Sequence, residues 1–195
     1  TDRLETLHIP TDRGTLQVIC IPYPARHRFA NQAGIDSGNL SGELEQRTIE
    51  SELEKFIENE AAGRNPGEPV VLLAHIGIAE ASLSGTERTM HLADEVKLPR
   101  SVLMRPGIDY CALGHVHRFQ DLNPEGAPPI VYPGAIERID FGEEKDTKGF
   151  VIAEVEPGRA QYQFFPLASR PFVTIQRDLS EEPDPTEAIK KAIGQ

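Results

Sequence analysis

Asp109-Tyr110-Cys111-Ala112-Leu113-Gly114-His115-Val116-His117 is the stretch that decides how the chain is read. An apolar run ends in a glycine, and two histidines follow, one residue apart. A second apolar run, Pro69-Val70-Val71-Leu72-Leu73-Ala74, closes on His75. Runs of this length, rich in Val, Leu and Ala, are the pattern of buried strands in a parallel sheet. Two strands that each finish in histidine gather imidazoles along one sheet edge. Open α/β sheets bind their ligands outside the carboxyl ends of their strands. The expectation is an α/β fold with a histidine site at that edge.

At 195 residues the chain is long enough for one good-sized core, or a core with a small appendage. The 38% apolar and 26% charged residues set it among ordinary globular proteins, apart from disordered or membrane classes. No apolar run approaches the ~20 residues of a membrane helix, and no signal-peptide pattern opens the sequence, so a cytoplasmic protein without a membrane partner is expected. Cys20 and Cys111 lie in apolar runs and make no CxxC, which reads as buried reduced thiols. The net charge of −11 counts against broad, non-specific binding to nucleic acid, which wants a basic field. It does not exclude a nucleic-acid enzyme whose positive charge comes from bound metal ions. The chain opens on Thr1, not methionine, and in mid-pattern; a fragment or processed product is expected.

Working outward, Leu4 to Ile9 and Leu16 to Ile21 are short β-type runs around Pro10-Thr11-Asp12-Arg13-Gly14, a hairpin. Ile21-Pro22-Tyr23-Pro24 stops the second strand, because proline has no N–H for the ladder. Arg26 to Asn39 reads as an exposed loop with His27 as a surface residue. Leu44, Ile49, Leu53, Phe56, Ile57 and Ala61 fall at helical spacing, with Ser41 able to cap the helix and Gly63 to close it. This helix followed by the Val70 strand is an αβ unit. Ser82 to Thr86 reads as a loop, His91 as loop packing, and Leu98 to Met104 as a short helix. Beyond His117 come strands at 129–132, 149–155, 162–167 and 172–179. Asp184, Pro185 and Glu187 then start a last helix as cap, first helical residue and capping-box partner.

Residues i and i+2 of an extended segment point the same way, so His115 and His117 are expected to face one cavity. Neutral imidazole suits Mn, Fe and Zn. His75 would add a third ligand from the adjacent strand. Spacing leaves a second reading open, in which these histidines bond backbone groups at strand ends.

Gly114-His115-Val116-His117 is followed by Pro129-Ile130-Val131-Tyr132-Pro133-Gly134-Ala135-Ile136-Glu137-Arg138-Ile139-Asp140-Phe141-Gly142-Glu143 and by Lys148-Gly149-Phe150. This pattern resembles the SbcD-type DNA repair nucleases of the calcineurin-like metallophosphoesterases. Leu72-Leu73-Ala74-His75 is similar to the family's fourth motif and the GHVH stretch to its fifth. GHxH alone would indicate only the superfamily; the stretch from Tyr132 to Glu143 narrows it. The resemblance implies the C-terminal part of an αββα layered sandwich over residues 1–167 and the start of a small α+β capping domain over 168–195. It implies two divalent ions, Mn²⁺ foremost, with His75 and His115 on one and His117 on the other. The implied reaction is metal-assisted phosphodiester hydrolysis on DNA. It also implies a homodimer and an SbcC-type coiled-coil ATPase as partner.

The sequence departs from the family in one respect: it holds no DxH, no Gly-Asp pair and no GNHD. The catalytic residues and acidic ligands are therefore expected before Thr1, and the 195 residues alone are expected to be inactive. Arg118 and Arg138 flank the site in sequence as candidates for DNA phosphate, against their reading as ordinary surface arginines. Two rivals stand beside the nuclease: a phosphatase or small-molecule phosphodiesterase, and a non-catalytic module for dimerisation or partner docking.

Overall fold

The computed structural model describes residues 3–24, 42–85 and 96–194. His27, His91, the Ser41 cap and the loop after Pro24 lie outside the described residues. The hairpin read from the first two runs is present: β1 (Glu5–Thr11) pairs antiparallel with β2 (Gly14–Ile21) across a turn with Gly14 at φ 124°. Helix α1 (Gly42–Ala62) leads into β3 (Val70–His75). The short strands β4 (Gly77–Ile78) and β5 (Lys97–Leu98) pair with each other, and a 3₁₀ turn over Arg100–Val102 replaces the short helix expected at 98–104. Then follow β6 (Tyr110–Gly114), β7 (Gln120–Asp121), β8 (Ile130–Tyr132), β9 (Gly149–Glu156), β10 (Arg159–Pro166) and helix α2 (Pro185–Ile193).

One six-stranded sheet runs in the order β1-β2-β3-β6-β8-β7. Its four inner strands are parallel, and both edges are antiparallel. Parallel neighbours bring their carboxyl ends to the same edge: Ile21 pairs with Ala74, and His75 with Gly114. The periodicity of α1 is borne out in Ile49, Leu53, Ile57 and Ala61, which are buried against Leu72, Ala74, Cys111 and Leu113. At ~25 cal/mol per Å² of apolar area, this covered face is the main favourable contribution to the fold. Leu44, assigned to the same stripe, is exposed instead; it stands in the first turn, short of the sheet.

The second face of the sheet is covered only in part. Tyr110 and Ala112 of β6 and Val71 of β3 line an open groove of about 1010 Å³ with Ala153 and Val155 of β9. Leu73, between them in pattern, is 51% exposed. The expectation that β3 is buried throughout is corrected here: it is buried on the α1 side and half-open on the other. The β9–β10 hairpin is tied to the sheet by Tyr162, whose hydroxyl donates to Asp121 Oδ2 at 2.8 Å, and by the Phe119–Phe164 ring stack at 4.1 Å.

Residues 172–179 form no strand. A strand needs a ladder partner, and none of the sheets offers this segment one. Helix α2 starts as read, with Asp184 accepting from Glu187 N at 3.1 Å, but its Ile189 and Ile193 remain exposed. Among the described residues, no helix is long and apolar enough to cross a membrane.

Candidate metal site at the carboxyl edge

His75 is the last residue of β3, and His115 follows the last residue of β6. Because His75 and Gly114 are register partners, the two imidazoles emerge side by side, with ring centroids 5.2 Å apart at 62°. Gly114 matters for this approach, since a Cβ there would stand 3.0 Å from His75 Nδ1. Tyr23, carried off the end of β2 by the two prolines, joins them from the third parallel strand. Its ring centroid lies 5.9 Å from His75 and 5.6 Å from His115. His75 is exposed and His115 and His117 are half-buried, while the Nε2 atom of His115 is itself buried.

The extended geometry expected from Gly114 to His117 is not what forms. The strand ends at Gly114 and His115 takes φ 103°, a left-handed conformation seldom adopted outside glycine. Such backbone strain is typical of functional sites held by their surroundings. The i, i+2 argument therefore does not place His117 beside His115. His117 Nδ1 lies 2.9 Å from Glu143 Oε1, a carboxylate with no exposure, delivered by a 3₁₀ turn over Phe141–Glu143.

The backbones that carry these rings are pinned by the segment after β8. Buried Tyr132 donates its hydroxyl to Ile76 O at 2.6 Å, next to His75. Ala135 N and Lys148 Nζ donate to His117 O at 3.0 and 2.9 Å. Gly134 has φ 77°, and a Cβ on it would stand 2.8 Å from both His117 O and Phe119 N, so no other residue fits this closure without a shift. Lys148 is fully buried and completes an ion pair with Glu143 at 2.7 Å. Burial alone would raise the Glu143 pKa; the bonds from Lys148, His117 and Ile139 N outweigh it and hold the carboxyl below the ordinary range.

The two arginines singled out from the sequence differ in place. Arg118 is largely exposed, with Nε 3.9 Å from Asp146. Arg138 is turned inward: Nε donates to Glu143 O, Nη2 to Asp146 O, and Nη1 to Ser169 Oγ and Arg170 O. Its guanidinium staples two loops. Both cysteines are buried, as read, and burial pushes the Cys111 thiol far up, which keeps it protonated and unreactive.

Imidazoles paired at a sheet edge are a donor set that suits a divalent metal, and the His117–carboxylate pair is the usual companion of a ligating histidine. The set is partial: among the described residues, no group of three or more His, Cys, Asp or Glu side chains comes together to hold an ion. Tyr23, Glu143 and Lys148 were not identified from the sequence. The one signal for Glu143 and Lys148 was their membership of the stretch that carries the resemblance.

No family model matches the chain. Over 92 residues it is 35% identical to the "Uncharacterized metallophosphoesterase YhaO" of Bacillus subtilis (strain 168). The likeness is to a metallophosphoesterase. It covers 46% of this chain and 21% of the relative, so the chain matches about a fifth of that protein's length. The mixed α/β sheet fits a metallophosphoesterase-like fold.

Proposed function

We propose that this chain carries the histidine part of the metal site of a DNA nuclease of the SbcD type, within an αββα metallophosphoesterase layering whose capping domain starts near residue 168. One observation carries the reading: two imidazoles from adjacent parallel strands stand 5.2 Å apart at the carboxyl edge, in a chain similar to a metallophosphoesterase. His75 and His115 would hold one divalent ion, Mn²⁺ foremost, and His117 a second. When bound, such ions polarise a phosphoryl oxygen and lower the pKa of water.

The chain's own residues hold the imidazoles in place. Tyr23 packs on both rings of the first pair; Tyr132, Ala135 and Lys148 fix the backbone beside His75 and His117. Arg118, exposed one residue beyond His117, would be the group to meet DNA phosphate in this reading. Arg138 supports that surface from within. A second copy of the chain and an SbcC-type ATPase are the partners this reading expects.

A phosphatase is the second reading, favoured by the relative's name, which specifies a phosphoester and no nucleic acid. The test offers duplex DNA ends and an aryl phosphomonoester, with Mn²⁺, to a protein containing this sequence together with acidic ligands. Wild type and the His75→Ala and His117→Ala variants are compared. DNA cleavage at least tenfold weaker in each variant is expected, while the 195 residues alone cleave neither substrate. Preferential turnover of the monoester would move the function to a phosphatase. No Mn²⁺-dependent turnover of either substrate would leave a docking or dimerisation module.

A further inference from the structure

We propose that Glu143, anchored by Lys148, is the positioning residue for His117: its carboxylate takes the Nδ1–H of the neutral ring and so assigns the lone pair to Nε2. The inference deepens the reading of His117 as a ligand and rests on it for its purpose; the tautomer itself stands on the geometry alone.

An ionised carboxylate only accepts hydrogen bonds. The imidazole nitrogen that faces it at 2.9 Å must therefore be the one that carries hydrogen. Glu143 has no freedom to offer anything else. Its other oxygen, Oε2, accepts from Lys148 Nζ at 2.7 Å and from Ile139 N at 3.2 Å, and neither Glu143 nor Lys148 has side-chain exposure. The ammonium also donates to His117 O at 2.9 Å, and Asp146 Oδ2 lies 3.7 Å from it. One buried cation thus holds both the carboxylate and the backbone of the histidine that the carboxylate orients. A buried ion pair of this kind costs desolvation and is weak evidence for stability. A role in setting ring orientation and tautomer accounts for it where stability alone does not. A neutral histidine binds metal through its hydrogen-free nitrogen, and a carboxylate on the opposite nitrogen fixes which one that is.

The test reads the tautomer directly, by ¹⁵N NMR of the imidazole nitrogens in the metal-free 195-residue chain, at a pH where the ring is neutral. In wild type, His117 is expected as a single Nδ1–H tautomer with Nε2 unprotonated. An Nε2–H tautomer, or an exchanging mixture, would overturn the proposal without recourse to any variant. In Glu143→Gln the amide oxygen is expected to stay with the donors Lys148 Nζ and Ile139 N, which turns the NH₂ toward His117 Nδ1. The ring is then expected to lose the Nδ1–H tautomer in favour of Nε2–H. A folded variant that retains the Nδ1–H tautomer unchanged would also overturn the proposal. Should Glu143→Gln fail to fold, Lys148→Arg keeps the cation and is expected to preserve the wild-type tautomer. A Mn²⁺ titration of the same samples reads the metal assignment separately. Glu143→Gln should weaken binding about 10–100-fold. Binding unchanged by His117→Ala would remove the metal role of His117 while leaving the tautomer result in force.

Discussion

His115 holds the most costly backbone conformation among the residues of the site. Its φ of 103° is one that a glycine would adopt without strain, yet the residue carries a ring in contact with His75 and Tyr23. Strain of this kind costs on the order of 1–3 kcal/mol and persists where the surroundings over-determine it. Comparison of two truncations isolates it. His115→Gly and His115→Ala both remove the ring, but only glycine relieves the backbone. The glycine variant is expected to be more stable than the alanine variant by about 1 kcal/mol in urea unfolding. Equal stability, or a more stable alanine, would show that position 115 is not strained. The residue scale also shows how the site departed from its reading. Histidines at 115 and 117 were legible as candidates, whereas the left-handed residue at 115, which breaks the extended segment between them, is not announced by spacing.

At the scale of elements, the segment after β10 is held to the loop following β8 by side chains and not by a ladder. Glu137 accepts from Arg170 N, and Glu144 from Thr174 N and its hydroxyl, while Arg138 reaches Ser169 and Arg170 O. These bonds set the titration of both carboxylates. Hydrogen bonds from Arg138 N and Arg170 N hold Glu137 below its ordinary 4.5, and the Thr174 hydroxyl and amide do the same for Glu144. A carboxylate whose folded pKa is depressed stabilises its contacts fully above the ordinary value and loses that contribution as pH falls through the folded one. Hydrogen exchange should therefore show Arg170 and Thr174 losing protection, relative to intrinsic rates, as pH drops below about 4.5, while β3 and β6 amides remain protected. Protection at Arg170 and Thr174 that is constant down to pH 3 would refute the tether. The strand expected at 172–179 was a fair reading of its composition. Strand propensity describes fit to a pleated, half-buried surface, and this segment has no such neighbour.

For the whole molecule, Asp109 is the joint between layers. Buried at 5% exposure, it accepts from Val70 N at the start of β3 and from Gly158 N in the β9–β10 turn, both at 2.8 Å. Arg64, just past α1, lies 3.7 Å from its Oδ1. One carboxylate thus links sheet, hairpin and helix. Asp109→Ala leaves two amides without their acceptor and is expected to cost about 3 kcal/mol in denaturant unfolding. A loss under about 1 kcal/mol would mean that the hairpin docks by its aromatic contacts alone. By itself, the sequence determined the parts whose causes are local: the hairpins through their turn residues, α1 through its 3.6-residue stripe, and two apolar strands ending in histidine. Tertiary structure alone decided which sheet face is covered, that Tyr23 meets His75 and His115, and that Glu143 and Lys148 reach His117 across 26 and 31 residues. The reason is physical. Periodicity and turn chemistry act over a few residues and leave a pattern, whereas a buried carboxylate 26 residues from its histidine is set by how the chain returns to the same edge.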